Sequence, residues 1–518
     1  MDNLDRTLIG KDVIESLTTS MYEDARFIYR EYIQNSADAI DKAKSINLID
    51  EGNIFITINK EKRLIEFEDD ATGIGSAQVL PILKNIAQST KTKGSDKGFR
   101  GIGRLGGLGY CDKLIFETSV KGENVKSIMT WDASNLKRII SDRSKKEEAH
   151  EVIDAVTTFK QEKEDIDKHY FKVILQDVTN NDLLEVSDIR EYLSMVAPVP
   201  FKLATLTPKI YNYISENNFS IDEYQIYVNT EQIYKGYKWY VYEGDTNNKK
   251  KVDEVIDIIF FKENDKQGKI LYWGWYAITS KIQSLQKINF ARGFRLRNHN
   301  IQIGNDDTLQ KLQRDRRFQF YFFGEVHAVH PELHPNARRD YFSENDIHYQ
   351  FEKKLQYFFQ TTIYKLCYDV SKVNSAFKDI EKYNQFVEEY NTKNQKGYIN
   401  KEEKEELENK LQKQEEAKEK AIKTINTLKD NSEELPLNKI IEKSYSKLDS
   451  LEESPTIVEE DNDDKPIYIT EKLSKLNKKE RKFIGEIFEI INNVLTKDLA
   501  ENLIQKIEEK YKWETYSY

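Results

Sequence analysis

Cysteine is nearly absent from this 518-residue chain. Only Cys111 and Cys367 occur, far apart and at no metal-binding spacing. Neither a disulfide framework nor a zinc module is therefore expected, and a reducing cytoplasm is the expected compartment. Long apolar runs are missing too: no stretch approaches the roughly 18 apolar residues of a membrane-spanning helix. The N-terminus, MDNLDRTLIGKD, is acidic and has no apolar core of a secretion signal. A soluble intracellular protein is the expectation. Net basic charge is also lacking, since 79 Lys and Arg stand against 89 Asp and Glu to leave −10. That balance disfavours a general nucleic-acid coat, although a local basic face remains compatible with it. No G-x-x-x-x-G-K-[ST] occurs, which excludes an ordinary P-loop nucleotide hydrolase by motif.

What is present fills several domains. The 38% hydrophobic share plus 21 glycines (21/518, about 4%) comes to about 42%, just under the roughly 45–50% of an average soluble protein. Most of the chain can bury cores, while some stretches must be unusually polar. Residues 1–180 alternate helical and strand patterns. Phe27, Ile28, Tyr32, Ile33, Ala37 and Ile40 mark one face of a helix over 23–44, and residues 53–58 and 63–68 read as paired strands around NKEK. Further strands are expected at 112–120, 125–131 and 170–176. Residues 181–365 carry longer aromatic strands, such as 224–228, 255–261 and 271–278, and read as a second α+β domain. Residues 366–450 read as helical. Within them, 401–430 holds eight lysines and nine acids, with Leu407, Leu411, Ala421, Ile425 and Leu428 on one interrupted heptad seam. Residues 451–465 form an acidic linker, with seven acids and no base over 452–464, and 466–518 return to amphipathic helix.

Four segments carry chemistry. Glu31, Asn35 and Asp38 lie four and three apart, hence on one helical face. In a cleft such a row offers a carboxylate for water and an amide oxygen for Mg2+, which prefers oxygen ligands; as a lone segment it reads as the solvated face of a surface helix. IEFEDDATGIG (65–75) ends a strand at Asp69 and turns through Ala71, Gly73 and Gly75, so its carboxylate can accept from an exocyclic amine. STKTKGSDKGFRGIGRLGGLGY (89–110) holds six of the 21 glycines within residues 98–109, a run whose backbone N–H groups can nest phosphates. Its GIGRLG formally fits G-x-G-x-x-G, but a polar loop stands where the dinucleotide fingerprint requires a strand. ELHPNARRDYF (332–342) presents Asn336, Arg338 and Arg339 after a strand. His327, His330 and His334 nearby have no accompanying cysteine and read as structural. Over 291–341 nine Lys and Arg face six acids, a local +3.

In order and separation these segments resemble the GHKL ATPase superfamily of type II gyrases, HtpG-type chaperones, histidine kinases and MutL. REYIQNSADAIDKA is similar to the chaperone helix E-x-x-x-N-x-x-D. The resemblance implies Glu31 as general base, Asn35 as the Mg2+ ligand, Asp38 in support and Lys42 near the nucleotide. EDDATGI resembles the adenine-binding D-x-G-x-G-I turn with Ala71 replacing its first glycine. That register gives Asp69 the adenine amine, with Asp70 as alternate, and makes Gly73 the second glycine. NIAQST (85–90) is similar to the segment leading into the chaperone's ATP lid, and GFRG (98–101) to the MutL phosphate loop, which implicates Gly98, Gly101, Gly103 and Gly106. Relatives often carry a threonine at the last strand, where YFKVIL places Phe171. The second-domain loop resembles the chaperone catalytic loop, implying Asn336 and Arg339 at the γ-phosphate, with Arg338 as alternate.

The resemblance therefore implies a Bergerat-type α/β sandwich over 1–180, a transducer over 181–365 and a helical C-terminal region. It implies Mg2+-dependent hydrolysis of ATP by a homodimeric, chaperone-like clamp acting on a protein client. A MORC-like or MutL-like clamp on DNA, a bacterial defence ATPase and a non-hydrolysing nucleotide-binding scaffold stand as alternatives.

Overall fold

The computed structural model of the protein describes residues 9–18, 24–86, 103–204, 206–245, 247–336, 338–430, 435–449, 457 and 476–511. Two units divide the chain: residues 1–278 with 283–364, and residues 279–282 with 365–518.

In the first unit a short helix, α1 (Asp12–Thr18), precedes α2 (Phe27–Ser45). Ile28, Tyr29, Tyr32, Ile33, Ala37, Ile40 and Ala43 recur every three or four residues and are all buried, the stripe that periodicity predicts. The helix ends where Ile46 N–H bonds to the Lys42 carbonyl and Asn47 takes a left-handed φ of 54°. Lys42 and Lys44 offset the helix dipole in the last turn.

Beneath α2, β1 (Asn53–Asn59) and β2 (Leu64–Asp69) pair antiparallel, with Ile54 opposite Asp69 and Ile58 opposite Ile65. Buried residues alternate along both strands, so Ile65, Phe67 and Asp69 share the core face. Tyr29 and Tyr32 close on Phe67 with ring centroids 5.1 and 4.8 Å away. Each such pair contributes about 0.5–1.5 kcal/mol beyond burial and fixes α2 over β2. Then come α3 (Val79–Lys84), β3 (Lys113–Ser119), β4 (Val125–Asp132), α4 (Ala133–Ser141), α5 (Ala149–Val156), β5 (Thr157–Lys163), β6 (Tyr170–Gln176) and α6 (Val186–Val196).

After α7 (Thr207–Glu216) the chain returns to the same sheet as β7 (Gln225–Val228) and β8 (Glu231–Gln232). The eight strands run β5-β4-β3-β6-β2-β1-β7-β8. Only β7 on β1 is parallel among the pairings described in this sheet, and there Phe55 stacks on Tyr227 at 5.4 Å.

A second, six-stranded sheet follows, built from β9 (Tyr240–Glu243), β10 (Lys250–Asn264), β11 (Ile270–Thr279), β12 (Gly293–Asn298), β13 (Ile301–Gln302) and β14 (Phe323–Ala328). Its order is β13-β12-β14-β11-β10-β9, with β12 parallel to β14. Its core is aromatic: Tyr213 of α7 stacks on Phe260 at 4.2 Å, and Phe219 on Trp273 at 5.6 Å. His327 lies flat on Trp273 at 4.1 Å and reaches Glu325 at 2.9 Å. His330 accepts from Glu332 N–H. Both histidines are thus engaged in packing and hydrogen bonds within the domain. Helix α8 (Asp346–Phe358) and a π turn (Phe359–Ile363) lead on to α9 (Tyr364–Lys396).

The second unit is helical: the rest of α9, α10 (Lys401–Asp430), α11 (Leu435–Asp449), α12 (Lys478–Val494) and α13 (Lys497–Tyr511). Leu407 of α10 packs with Tyr390 and Tyr398, and Leu411 lies against that cluster. Lys393 pairs with Glu403 and Glu489. The C-terminal amphipathic segment breaks at Leu495–Thr496 into two helices. On α12 Phe488 is buried, whereas Phe483 is 64% exposed. The helix carries two apolar stripes, one through half-buried Ile484 and Ile491 and buried Phe488, the other through exposed Phe483, Ile487, Ile490 and Val494. Apart from Ile457, the acidic 451–465 segment lies outside the described residues. The architecture is an N-terminal α/β part with mixed sheets followed by a helical region.

Candidate functional site

Helix α2 brings Glu31, Asn35 and Asp38 to one face. Glu31 and Asp38 are buried and Asn35 is half-buried. Lys42 lies on the exposed surface of the same helix, eleven residues from Glu31 and so about 16 Å along the axis.

A backbone turn and a side chain border the Glu31 carboxylate. On one side Gly103 approaches so closely that a Cβ there would lie 2.2 Å from Glu31 Oε2. On the other, Arg339 Nε is 3.1 Å from Oε1, at a side chain only 7% exposed. This is a charge pair without hydrogen-bond alignment, because Oε1 accepts no hydrogen bond. Arg30 is also buried, its guanidinium 3.7 Å from the Phe27 ring, 4.0 Å from Glu31, and directed at the carbonyls of Gln302 and Arg338. The two candidate arginines are thereby separated. Arg339 reaches Glu31, while Arg338 is exposed and offers only its carbonyl. Asn336 ties its own loop through Nδ2 to Asp340 at 2.5 Å.

Asp69 sits at the end of β2 on the core face and is 1% exposed. Burial pushes its carboxyl up to about 7, partly offset by hydrogen bonds from the Ser36 hydroxyl and Ala71 N–H. Asp70 is already committed, accepting from the N–H and side-chain amide of Asn53 at 2.7 Å each. The turn after it is stitched to β3 and β6. Ile74 N–H bonds to Thr118 Oγ1, which donates to the Tyr170 carbonyl, while His169 Nδ1 meets the Ala71 carbonyl at 2.8 Å. Ala71 has no left-handed φ and its methyl is buried in the core, so replacing a glycine here adds no backbone strain. Phe171 pairs with Asp69 across the sheet and stacks on Phe116 at 6.0 Å. An aromatic ring therefore borders Asp69.

Of the glycine-rich run, residues 103–109 form a 3-10 turn that includes Gly103 and buried Gly106. Gly98 and Gly101 lie outside the described residues. Tyr32 anchors the turn, its hydroxyl accepting from Gly107 N–H at 3.0 Å and donating to the Arg104 carbonyl at 3.1 Å. Arg104 reaches the Asn85 carbonyl, and burial lowers its guanidinium to about 10. No site role for Tyr32, Arg30 or Arg104 follows from the motifs of the sequence. Tyr32 fits the apolar stripe of α2, and nothing in the spacing distinguishes a tyrosine whose hydroxyl has a partner.

Residues 24–164 match the family described as histidine kinase-, DNA gyrase B-, and HSP90-like ATPase. The chain carries a GHKL-type ATPase domain. It also shows partial homology to HtpG chaperones. Chaperone protein HtpG of Wigglesworthia glossinidia brevipalpis is 28% identical over 146 residues, covering 24% of this chain and 23% of that protein. HtpG of Halalkalibacterium halodurans is 28% identical over 143 residues, with the same coverage. In HtpG of Chlorobium phaeovibrioides the identity is 31% over 87 residues, 15% of this chain and 14% of that protein. The chain thus spans less than a quarter of the length of these relatives.

The basic stretch beyond the GHKL domain is divided between the interior and the surface. Arg297 is fully buried against Glu325 at 2.5 Å, Arg295 is buried with a bond to the Phe290 carbonyl, and Arg317 pairs with Asp315. Lys311, Arg314, Arg316, Arg317 and Arg338 of the same stretch are exposed, so part of the local +3 of 291–341 does reach the surface. Among the described residues no helix is long and apolar enough to cross a membrane.

Proposed function

We propose that the chain is a Mg2+-dependent ATPase working as an ATP-driven dimeric clamp of the HtpG type, on a protein client. In this reading residues 1–180 bind nucleotide and 181–365 act as transducer, while 366–518 supply contacts to partners. The observation that carries it is the enclosure of Glu31 between the Gly103 backbone and Arg339. It joins a water-activating carboxylate to a guanidinium supplied from the other side of the domain pair.

Asp69 accepts from the adenine amine, and the backbone of Gly103 and Gly106, with Gly98 and Gly101, meets the phosphates. Asp38 supports the helix face and Lys42 lies toward the outer part of the site. Glu31 orients water and takes its proton. Arg339 leaves Glu31 for the γ-phosphate oxygens, because a guanidinium can contact them bidentately and stays charged. Among the described residues no group of three or more His, Cys, Asp and Glu could hold a metal ion. The Asn35 amide oxygen, one turn from Glu31, would be the protein ligand of an ion held otherwise by phosphate oxygens. Bound there, Mg2+ supplies neutralisation of phosphate charge.

The outward stripe of α12 supports a homodimer. Phe483, Ile487, Ile490 and Val494 follow one another at four, three and four residues, the spacing of a coiled-coil seam.

Steady-state turnover tests the reading. Wild type is expected to hydrolyse ATP, and Arg339→Ala to lose on the order of 10²-fold in turnover, the effect of removing one transition-state donor. A wild-type protein that neither binds nor hydrolyses ATP removes the enzyme assignment.

Acidity provides a second check. Asp69 titrates near 7, so its carboxyl gains a proton as pH falls through that value. A ligand that needs the ionised acceptor must then bind with proton loss. Adenosine, which carries no phosphate to titrate, should bind up to about tenfold more weakly per pH unit below 7 and level off above it. A flat affinity profile by calorimetry would show that Asp69 does not meet the base as a carboxylate.

A further inference from the structure

The geometry points to Gly304 as a positioning residue that sets Arg339 against Glu31. This rests on the ATPase reading above and adds a residue to it. Gly304 lies just past β13, and its N–H donates to the Arg339 carbonyl at 2.8 Å. Its own carbonyl accepts from Gln302 Nε2 at 3.1 Å. The Gln302 carbonyl in turn receives Arg30, the neighbour of Glu31 on α2, at 3.4 Å. A continuous brace therefore runs from the catalytic helix through Arg30 and Gln302 to Gly304 and on to the backbone of Arg339. Arg30 closes it with a second reach to the Arg338 carbonyl at 3.5 Å.

Only glycine fits this position. Its φ is +65°, and a Cβ would lie 2.0 Å from Thr308 Oγ1 and 2.7 Å from the Asp340 carbonyl oxygen. The threonine hydroxyl cannot simply rotate away, because it accepts from Asn305 N–H at 2.8 Å and donates to Asn305 Oδ1 at 3.1 Å. The Asp340 carbonyl belongs to the backbone one residue beyond Arg339, so relief of the overlap moves the arginine loop itself. Arg339 adds to the constraint with a φ of 55°, a conformation that side-chain-bearing residues rarely hold without support. A displacement of roughly an ångström at a group that must meet the reacting phosphate costs on the order of 10²-fold in rate.

The test compares wild type, Gly304→Ala, Arg339→Ala and the double variant in the full chain, by single-turnover hydrolysis and by ATP titration. Gly304→Ala is expected to slow hydrolysis about tenfold to a hundredfold with ATP affinity within about twofold of wild type. In the double variant the rate should equal that of Arg339→Ala alone, since a positioning residue has nothing left to position. Wild-type hydrolysis by Gly304→Ala, losses that multiply in the double variant, or a parallel loss of ATP affinity would each overturn the proposal. If Arg339→Ala hydrolyses like wild type, the role of Arg339 falls first, and that of Gly304 with it. Should Gly304→Ala fail to fold, Gln302→Glu decides. It keeps an acceptor for Arg295 but removes the donor to Gly304, and a rate loss confined to the Arg339 background supports the brace. An unchanged rate in Gln302→Glu refutes it.

Discussion

Glu31→Ala is expected to bind ATP within a few-fold of wild type and to hydrolyse it about 10²- to 10⁴-fold more slowly, the range for loss of a positioned base. The split arises because Glu31 borders the place of attack, whereas Asp69 and the glycine-rich turn hold the nucleotide elsewhere. Gly103→Ala should approach the same loss without touching the carboxylate chemically. A methyl at 2.2 Å from Glu31 Oε2 must expel the side chain from its slot between the 103–109 turn and Arg339. Arg339 and buried Arg30, 3.1 and 4.0 Å from Oε1, crowd the other carboxylate oxygen. Combining the two substitutions should cost little more than Glu31→Ala alone, as for residues acting as a unit. Full hydrolysis by Glu31→Ala in a phosphate-release assay would reassign the base.

Gly73→Ala should destabilise the GHKL domain more than any other single methyl addition in the turn after β2. Gly73 has a φ of +64°, and a Cβ there would meet the Ser119 carbonyl oxygen at 1.9 Å and the Tyr170 carbonyl oxygen at 2.9 Å. The left-handed backbone costs about 1–2 kcal/mol for a residue with a side chain, and the overlap about 1–3 kcal/mol more. Both obstructing atoms are backbone, so no rotamer change relieves them. The combined ~2–5 kcal/mol corresponds to hydrogen exchange in β2, β3 and β6 faster by roughly 30-fold or more. Gly122→Ala is the control: φ is +98°, but nothing lies within 4 Å of the added methyl, so only the backbone cost of about 1–2 kcal/mol applies. Equal exchange in the two variants would mean that the turn yields more easily than its hydrogen bonds imply.

The parts legible in the sequence were those fixed by local periodicity. The stripe of α2, the β1–β2 hairpin and the core-facing end of β2 at Asp69 follow from spacings of three to four and of two. So did the placement of Glu31, Asn35 and Asp38 on one face. Parts set by contacts across long separations were not legible. Pairing of β7 with β1 joins residues about 170 apart, and the brace through Gln302 and Gly304 joins α2 to a loop some 300 residues later. Charge counting at 291–341 is limited for a related reason, since it cannot see that Arg295 and Arg297 point inward while Lys311, Arg314, Arg316, Arg317 and Arg338 stay exposed. The break in the C-terminal helix did have a local signal. Thr496 precedes the α13 pattern and its carbonyl accepts from Ala500 N–H, as expected of a cap position.

The return of β7 to β1 bears on how the nucleotide-binding part can be handled in isolation. A fragment stopped near residue 180 would strip β1 of its neighbour. Ile54 and Ile56 would then border an open row of backbone donors and acceptors, and Phe55 would lose the ring of Tyr227. Such a bare strand invites a second molecule to dock along it, and the fragment would self-associate for reasons unrelated to any working cycle. Extending the fragment beyond Gln232 restores the natural border, because short β8 then forms the rim.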